Sequence, residues 1–505
     1  MRLPCWISFF LTALLLSGCL LPAGPTVQPP TPLPAAANEP APLQDPAQPT
    51  GAPPAGESPA STATTPAEVV LPRTHYTLNV QFDYAQHFLT IEEQVEFTNA
   101  TAENLASLVF AAEPNRQSGI LENLSIVGKD EQLITSYSLE DNRLEIPLST
   151  PLLPAQSLSL VFHYDLRLPA IPPPSEAYKP VPFGYTERQT NLVDWYFFLP
   201  PYQPGKGWLL HPPGYYGEHL VYEVADFDVV IQPVGSLTDY TLAASAAAQP
   251  EGTGARYQVE NARSFAWSAS PYYEVLSQQV GQVMVYSYSF PYDKSAAEQT
   301  LRDTAAALGL YSELFAPYPH TTLSVVEADF LDGMEYDGLY FLSKGFYNLY
   351  DGSPKGYLSM IAVHETAHQW WYGLVGNDQA LEPWLDEALA TYTERIFYEK
   401  TYPDLIDWWW GYRVDYYDPK GFINGPIYPY NGFLNYRNAV YLNGARFLED
   451  LREQMGDEVF FAFLKGYASR YSHKLATTPD FLELLTEYTD ADVSQIINQY
   501  FSDSQ

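Results

Sequence analysis

Two histidines four residues apart, His364 and His368, stand in the run His364-Glu365-Thr366-Ala367-His368. On a helix that spacing puts both imidazoles one turn apart on the same face, where they can converge on one metal ion with Glu365 beside them. A catalytic zinc needs three protein ligands and an open position, and the third ligand should come from a neighbouring element. Glu387 follows after eighteen intervening residues, on the next predicted helix, and a hairpin of two helices would return it over the first. Such a set with one open site favours a zinc-bound water, made more acidic by the metal and deprotonated by Glu365. One zinc ion is therefore expected, held by His364, His368 and Glu387. The other seven of the nine histidines, His75, His87, His163, His211, His219, His320 and His473, show no such pairing and read as ordinary core or surface residues.

The elements that must carry these groups fall into two halves. From about residue 70 to 285 the chain alternates apolar and polar residues in short runs such as His75–Val80, Thr90–Phe97, Leu158–His163, Tyr222–Ile231 and Val280–Tyr288, separated by Pro, Gly, Asn and Asp. Period-two alternation with frequent turn residues predicts an antiparallel sandwich or large curved sheet. After Asp293 helical spacing takes over, with predicted helices at Ala296–Leu314, Gly356–Val375, Trp384–Glu399, Ala439–Met455 and Glu458–Arg470, interrupted by strand-like Leu323–Ala328 and Gly338–Leu342. The expected fold class is α+β, an N-terminal antiparallel β domain over 70–289 followed by a mainly helical domain over 290–505.

The block from His364 to Thr393, including Gln369-Trp370-Trp371 and the W-L-x-E stretch around Glu387, resembles the aminopeptidase N family of zinc peptidases, whose members carry H-E-x-x-H, eighteen residues, then Glu. The resemblance implies a thermolysin-like catalytic domain behind an N-terminal β domain. A second family motif, G-x-M-E-N, stands here as Asp332-Gly333-Met334-Glu335-Tyr336, with Asp332 in place of Gly and Tyr336 in place of Asn. By that resemblance Gly333, Met334 and Glu335 bind substrate, Glu335 pairing with its free α-amine. The segment Val440-Tyr441-Leu442-Asn443-Gly444-Ala445 is similar to the one whose Tyr donates a hydrogen bond to the tetrahedral intermediate, which implies a catalytic Tyr441 with Tyr436 as its nearest competitor. Asp226-Phe227-Asp228-Val229 also resembles the family's N-terminal domain, but no residue of that half can be matched to the family's further amine-binding group. The sequence stops shortly after the catalytic domain, so the large helical C-terminal domain of larger members is expected to be missing and the site to be more open.

Composition sets the class and the compartment. The chain of 505 residues is 46% hydrophobic, too apolar for a disordered protein, and carries 25 Lys+Arg against 60 Asp+Glu, a formal charge of -35. Polyanionic partners reward clustered Lys and Arg, so nucleic-acid binding is excluded as an expectation. Both cysteines, Cys5 and Cys19, lie in the first twenty residues, so the body has neither a disulfide nor a thiolate metal site. A short positive start, a twelve-residue apolar run from Cys5 to Leu16, and Leu16-Ser17-Gly18-Cys19 read as a lipoprotein signal with Cys19 as the lipid attachment site. Between Pro22 and Pro66 stand 14 prolines in 45 residues with no Lys, Arg or aromatic residue, a tether over 20–69 that cannot bury a core.

The expected protein is thus exported, anchored to the outer face of the cell membrane and its lipid bilayer through Cys19. It is expected to trim neutral or basic N-terminal residues from external peptides. Two alternatives stand beside that reading: a surface metalloendopeptidase on the same scaffold, and a binding protein without catalysis, against which the intact His364, Glu365, His368 and Glu387 argue.

Overall fold

The computed structural model describes residues 71–128, 131–172 and 182–502, so the expected signal and tether, with Cys19, lie outside the described residues. In the first half, strands β1 (Thr74–Asp83), β2 (Phe88–Thr98), β3 (Leu121–Gly128), β4 (Ser157–Arg167), β5 (Ala225–Pro233), β6 (Ala248–Glu251) and β7 (Gly254–Ala262) form one sheet in the order β6-β7-β5-β1-β2-β4-β3. Alternation decides which face is buried: Tyr76, Leu78, Val80 and Phe82 of β1 point inward opposite Val95, Glu93, Ile91 and Leu89 of β2. Glu93 is the exception on that apolar face. It accepts from Tyr164 Oη at 2.8 Å and from the Phe197 N–H at 3.0 Å, and burial pushes its pKa up to about 8. The sheet is not purely antiparallel, because β1 pairs with β5 in parallel, the chain crossing over some 140 residues to return beside it.

The second half is built on a five-stranded sheet of β8 (Glu274–Val280), β9 (Val283–Ser289), β10 (Thr322–Ala328), β11 (Gly333–Tyr336) and β12 (Leu339–Ser343), in the order β8-β9-β10-β12-β11. Strands β8 and β9, which alternation alone groups with the first half, pair through β9 with β10. Helices α1 (Lys294–Leu314) and α2 (Tyr357–Ala367) pack over this sheet, and α3 (Trp384–Thr401) packs against α2. Every residue of α2 from Leu358 to Ala367 is buried, so this short helix is enclosed on all sides.

Helix α2 ends earlier than the predicted Gly356–Val375. Beyond His368 the N–H groups of Gly373, Leu374 and Val375 reach back to the carbonyls of His368, Gln369 and Trp370, five residues each, so the coil widens. Gly373 lies where a Cβ would stand 2.6 Å from Asp337 Oδ1, so the widened turn depends on its bare backbone.

Val69–Gln505 forms one compact unit. Arg263, 3% exposed at the end of β7, ties its parts together. Its guanidinium donates to the carbonyls of Tyr222 at 2.8 Å, Tyr372 at 2.7 Å and Lys474 at 2.8 Å, and its backbone N–H donates to Asp337.

Candidate active site

His364 and His368 project from the last turn and the C-cap of α2, and Glu387 from the first turn of α3. At that position the helix N-terminus favours an ionised carboxylate. The two Nε2 atoms are 3.1 Å apart, and Glu387 Oε2 lies 3.3 Å from that of His364 and 3.5 Å from that of His368. Each ring has its other nitrogen engaged: His364 Nδ1 donates to Glu394 Oε1 at 2.8 Å and His368 Nδ1 to the Trp371 carbonyl at 3.0 Å. A neutral imidazole with a protonated Nδ1 presents a lone pair at Nε2, so two lone pairs and a carboxylate oxygen aim at one point. Glu387 Oε2 is buried without a hydrogen-bond donor. Burial works against charge on His368, yet Glu335, Glu387 and Glu365 outweigh it and hold its pKa well above the usual value, so the field at this point favours a cation. The donor set fits zinc, with room for three protein ligands.

Glu394 was not singled out by the sequence, although it stands seven residues after Glu387 and hence on the same face of α3 two turns on. Its carboxylate also receives Arg413 through Nε at 3.0 Å and Nη2 at 2.8 Å, which holds its pKa down against burial. This outer partner fixes the His364 tautomer and raises its basicity. Glu394→Gln is therefore expected to weaken metal binding by about 10- to 100-fold in a chelator competition. Unchanged affinity would reduce Glu394 to a packing role.

Glu365 lies between His368 and β11, its carboxylate within 4.8 Å of a ligand atom of His368. A Cβ on Gly333 would run into Glu365 Oε1, so the absence of a side chain there lets the strand pass directly over the glutamate. Glu365 Oε2 is buried without a partner, and burial raises this pKa well above the ordinary range. Two residues along the strand, Glu335 comes within reach of Glu365 and His368. It accepts from Gln379 Nε2 at 3.3 Å, and its pKa is raised to about 7, by burial first and then by the charges of Glu218 and Glu387 against that of His368. Met334 and Glu335 line a cavity of about 260 Å³ with Tyr336, Tyr372 and Gln379. The first half contributes Asp194, Glu218 and Tyr222 to the same wall. No sequence signal singles out Asp194 or Glu218, because each lies in a loop that only the folded chain brings there. A larger hollow of about 530 Å³, lined by Asn79, Glu92, His163 and Asp165, lies on the first sheet and contains none of these groups.

Tyr441 stands in a single wide helical turn, Asn438–Leu442, between α4 (Phe433–Arg437) and α5 (Asn443–Met455). Its ring stacks on His364 at 6.0 Å, and its hydroxyl donates to Glu387 Oε1. Tyr436 is fully buried behind it with ring centres 5.6 Å apart, and its hydroxyl finds no partner. The geometry therefore brings Tyr441, not Tyr436, to the ligand point. Of the residues singled out by sequence, His364, Glu365, His368, Glu387, Glu335, Gly333, Met334 and Tyr441 converge here, and Cys19 lies outside the described residues.

Residues 300–500 match the peptidase family M1 domain. Endoplasmic reticulum aminopeptidase 1 of Mus musculus is 26% identical over 257 residues, 48% of this chain and 27% of that protein. Aminopeptidase M1-D of Oryza sativa subsp. japonica is 27% identical over 210 residues, 38% of this chain and 24% of that protein. The matches thus span about a quarter of the length of these curated relatives. Among solved structures, an M1 zinc metallopeptidase from Deinococcus radiodurans superposes with a TM-score of 0.60 at 17% identity, over 86% of this chain and 95% of that one. Its Glu-to-Ala mutant bound to the substrate Tyr-Ser-Ala superposes at 0.61 with 17% identity, over 86% and 95% of the two chains. That likeness extends through both halves, where the family match begins only at α1. With a β-rich half, a helical half and a gathered set of metal-ligand groups, the chain is similar to the zinc metallopeptidases of family M1, whose domain residues 300–500 match.

Proposed function

We propose that the protein is an aminopeptidase with one zinc ion that removes N-terminal residues from extracellular peptides. The observation that carries this reading is Glu335, a buried carboxylate at the wall of a cavity beside the metal-ligand groups, on the edge strand of the sheet. A buried carboxylate calls for a cation, and a peptide's free α-ammonium supplies one. The tripeptide in the Deinococcus mutant supports a peptide as substrate.

His364, His368 and Glu387 would hold the zinc, which when bound supplies Lewis-acid polarisation of the scissile carbonyl and acidifies water. The open edge of β11 offers backbone groups to an extended peptide, which fixes its register. Glu335 accepts the ammonium, so only the first peptide bond reaches the metal-ligand groups. Glu365 takes the proton of the attacking water and passes it to the leaving amine. Tyr441 Oη donates to the oxygen on which negative charge develops, releasing Glu387 as it does so.

Among the described residues no helix is long and apolar enough to cross a membrane. The first nineteen residues support export and lipid attachment at Cys19. The test of the enzymatic reading is hydrolysis of an amino-acyl chromogenic amide beside its N-acetylated counterpart, with and without a chelator. Chelator-sensitive cleavage of the free-amine compound alone is expected. Equal cleavage of both would favour an internal-bond peptidase, and no cleavage of either would remove the enzymatic reading.

A further inference from the structure

The loop between the widened turn after α2 and the start of α3 carries Gln379, and short-range bonds hold that loop in shape. Asn377 Nδ2 donates to the Glu382 carbonyl at 3.1 Å, and Asp378 Oδ1 accepts the Leu381 N–H at 3.1 Å. Asp378 Oδ2 lies 2.8 Å from Nε2 of His211, so the same loop is tied to the β-rich half. Gln379, between these anchors, is 3% exposed and lines the cavity of about 260 Å³ beside Glu335.

Its amide has one orientation that suits the surroundings. Nε2 donates to Glu335 Oε1 at 3.3 Å and to Asp386 Oδ2 at 3.0 Å, which uses both of its N–H groups. Turned over, the amide would set its oxygen against two carboxylates. Asp386 is itself fixed at the head of α3, where its Oδ1 accepts the Glu387 N–H at 2.8 Å. With the nitrogen held on that side, Oε1 is the polar atom left over. It accepts from no donor among the described residues and is not sealed from the cavity that Gln379 lines. A protonated primary amine has three N–H groups, and one oxygen of Glu335 takes one of them. Brought out of water into this cavity, the cation needs acceptors for the others, and a bare amide oxygen next to the carboxylate provides one.

We propose that Gln379 is a substrate-binding residue whose Oε1 accepts a second N–H of the substrate's α-ammonium, so that the site selects amines by donor count as well as by charge. The inference rests on the aminopeptidase reading and names its substrate class, peptides whose protonated N-terminal nitrogen keeps at least two N–H groups. Primary and secondary amines meet that condition. An N,N-dimethylated terminus keeps its charge and fails it.

The experiment follows kcat/KM for an amino-acyl chromogenic amide and its N-methyl, N,N-dimethyl and N-acetyl derivatives on the zinc-loaded protein, Gln379→Met and Gln379→Asn. When protonated, the first three carry the same positive charge with three, two and one N–H groups. In the unaltered protein the dimethyl compound should fall below the monomethyl one by about ten- to a hundredfold, chiefly through KM, the range for a hydrogen bond to a charged group. Gln379→Met removes the acceptor at similar bulk, and Gln379→Asn draws it back by one methylene. In both, the ratio of monomethyl to dimethyl should fall toward one, with zinc content unchanged and the N-acetyl compound still refused because Glu335 remains. A Gln379 that only steadies Glu335 would instead lower all charged substrates alike and leave that ratio as it was, which would overturn the proposal. Equal rates for the two methylated compounds in the unaltered protein would overturn it as well, and that comparison needs no variant. In either case, cleavage of the free amine beside refusal of the acetylated compound still upholds the aminopeptidase reading. If none of the compounds is cleaved, that reading falls and this inference falls with it.

Discussion

Glu365→Gln should retain zinc and lose about 10²- to 10⁴-fold in turnover, the range for removing a general base. The amide is nearly isosteric with the carboxylate, so it still fits beneath the bare Gly333 backbone and leaves His364, His368 and Glu387 in place. It cannot accept a proton. Burial makes Glu365 an unusually basic carboxylate, suited to taking a proton and giving it back within one cycle. Metal content and turnover of an amino-acyl amide, measured on the same preparation, separate the two functions. Loss of zinc along with activity would place Glu365 among the ligands, and normal turnover would move proton transfer to another group.

The second large effect belongs to Glu335 and is read as a ratio. An N-acetylated substrate should be refused, because acetylation removes the positive charge and leaves a buried carboxylate facing an amide. A charge-assisted contact of this kind is worth about 1.5–3 kcal/mol, so Glu335→Ala should lower catalytic efficiency toward free-amine substrates by about ten- to a hundredfold. The gap between free and acetylated substrates should narrow in the same variant, since neither then has the partner. Product ladders from an unblocked decapeptide give an independent reading by mass spectrometry. Stepwise loss from the N-terminus supports the assignment, whereas a single internal cut with no selective effect of Glu335→Ala would defeat it.

How much of this was legible in the sequence depends on the range of the interaction. His364, Glu365 and His368 act through a single helical turn, so their spacing alone announces them, and Glu387 follows because the neighbouring helix begins just before it. Glu394 was within reach of the same logic, two turns further along α3, but carboxylates on helix surfaces are common and nothing marked this one as buried. The end of α2 was misjudged because Gln369–Val375 is as apolar as a helix interior. In the folded chain this stretch instead forms a widened turn in which Gly373 closely approaches Asp337, a contact between distant segments. Strands β8 and β9 alternate like their predecessors, and only their pairing with β10 assigns them to the second sheet. The parallel return of β5 beside β1, and the arrival of Asp194 and Glu218 at the cavity, are likewise consequences of topology that no local pattern records.

Arg263 has a consequence for how the molecule comes apart. Its guanidinium is stripped of water and is tolerable only while the Tyr222, Tyr372 and Lys474 carbonyls surround it, groups supplied by the β-rich half, the turn after α2 and a segment near the end of the chain. Before Lys474 arrives, a folding chain either leaves this charge hydrated and the interface open or buries it incompletely solvated, at a cost of several kcal/mol. Neither half can then reach its native energy early, and partial opening of one releases the charge that the other depends on. Heat or denaturant should meet Val69–Gln505 as one cooperative block, with the metal-ligand groups lost in the same transition as the seven-stranded sheet of the first half.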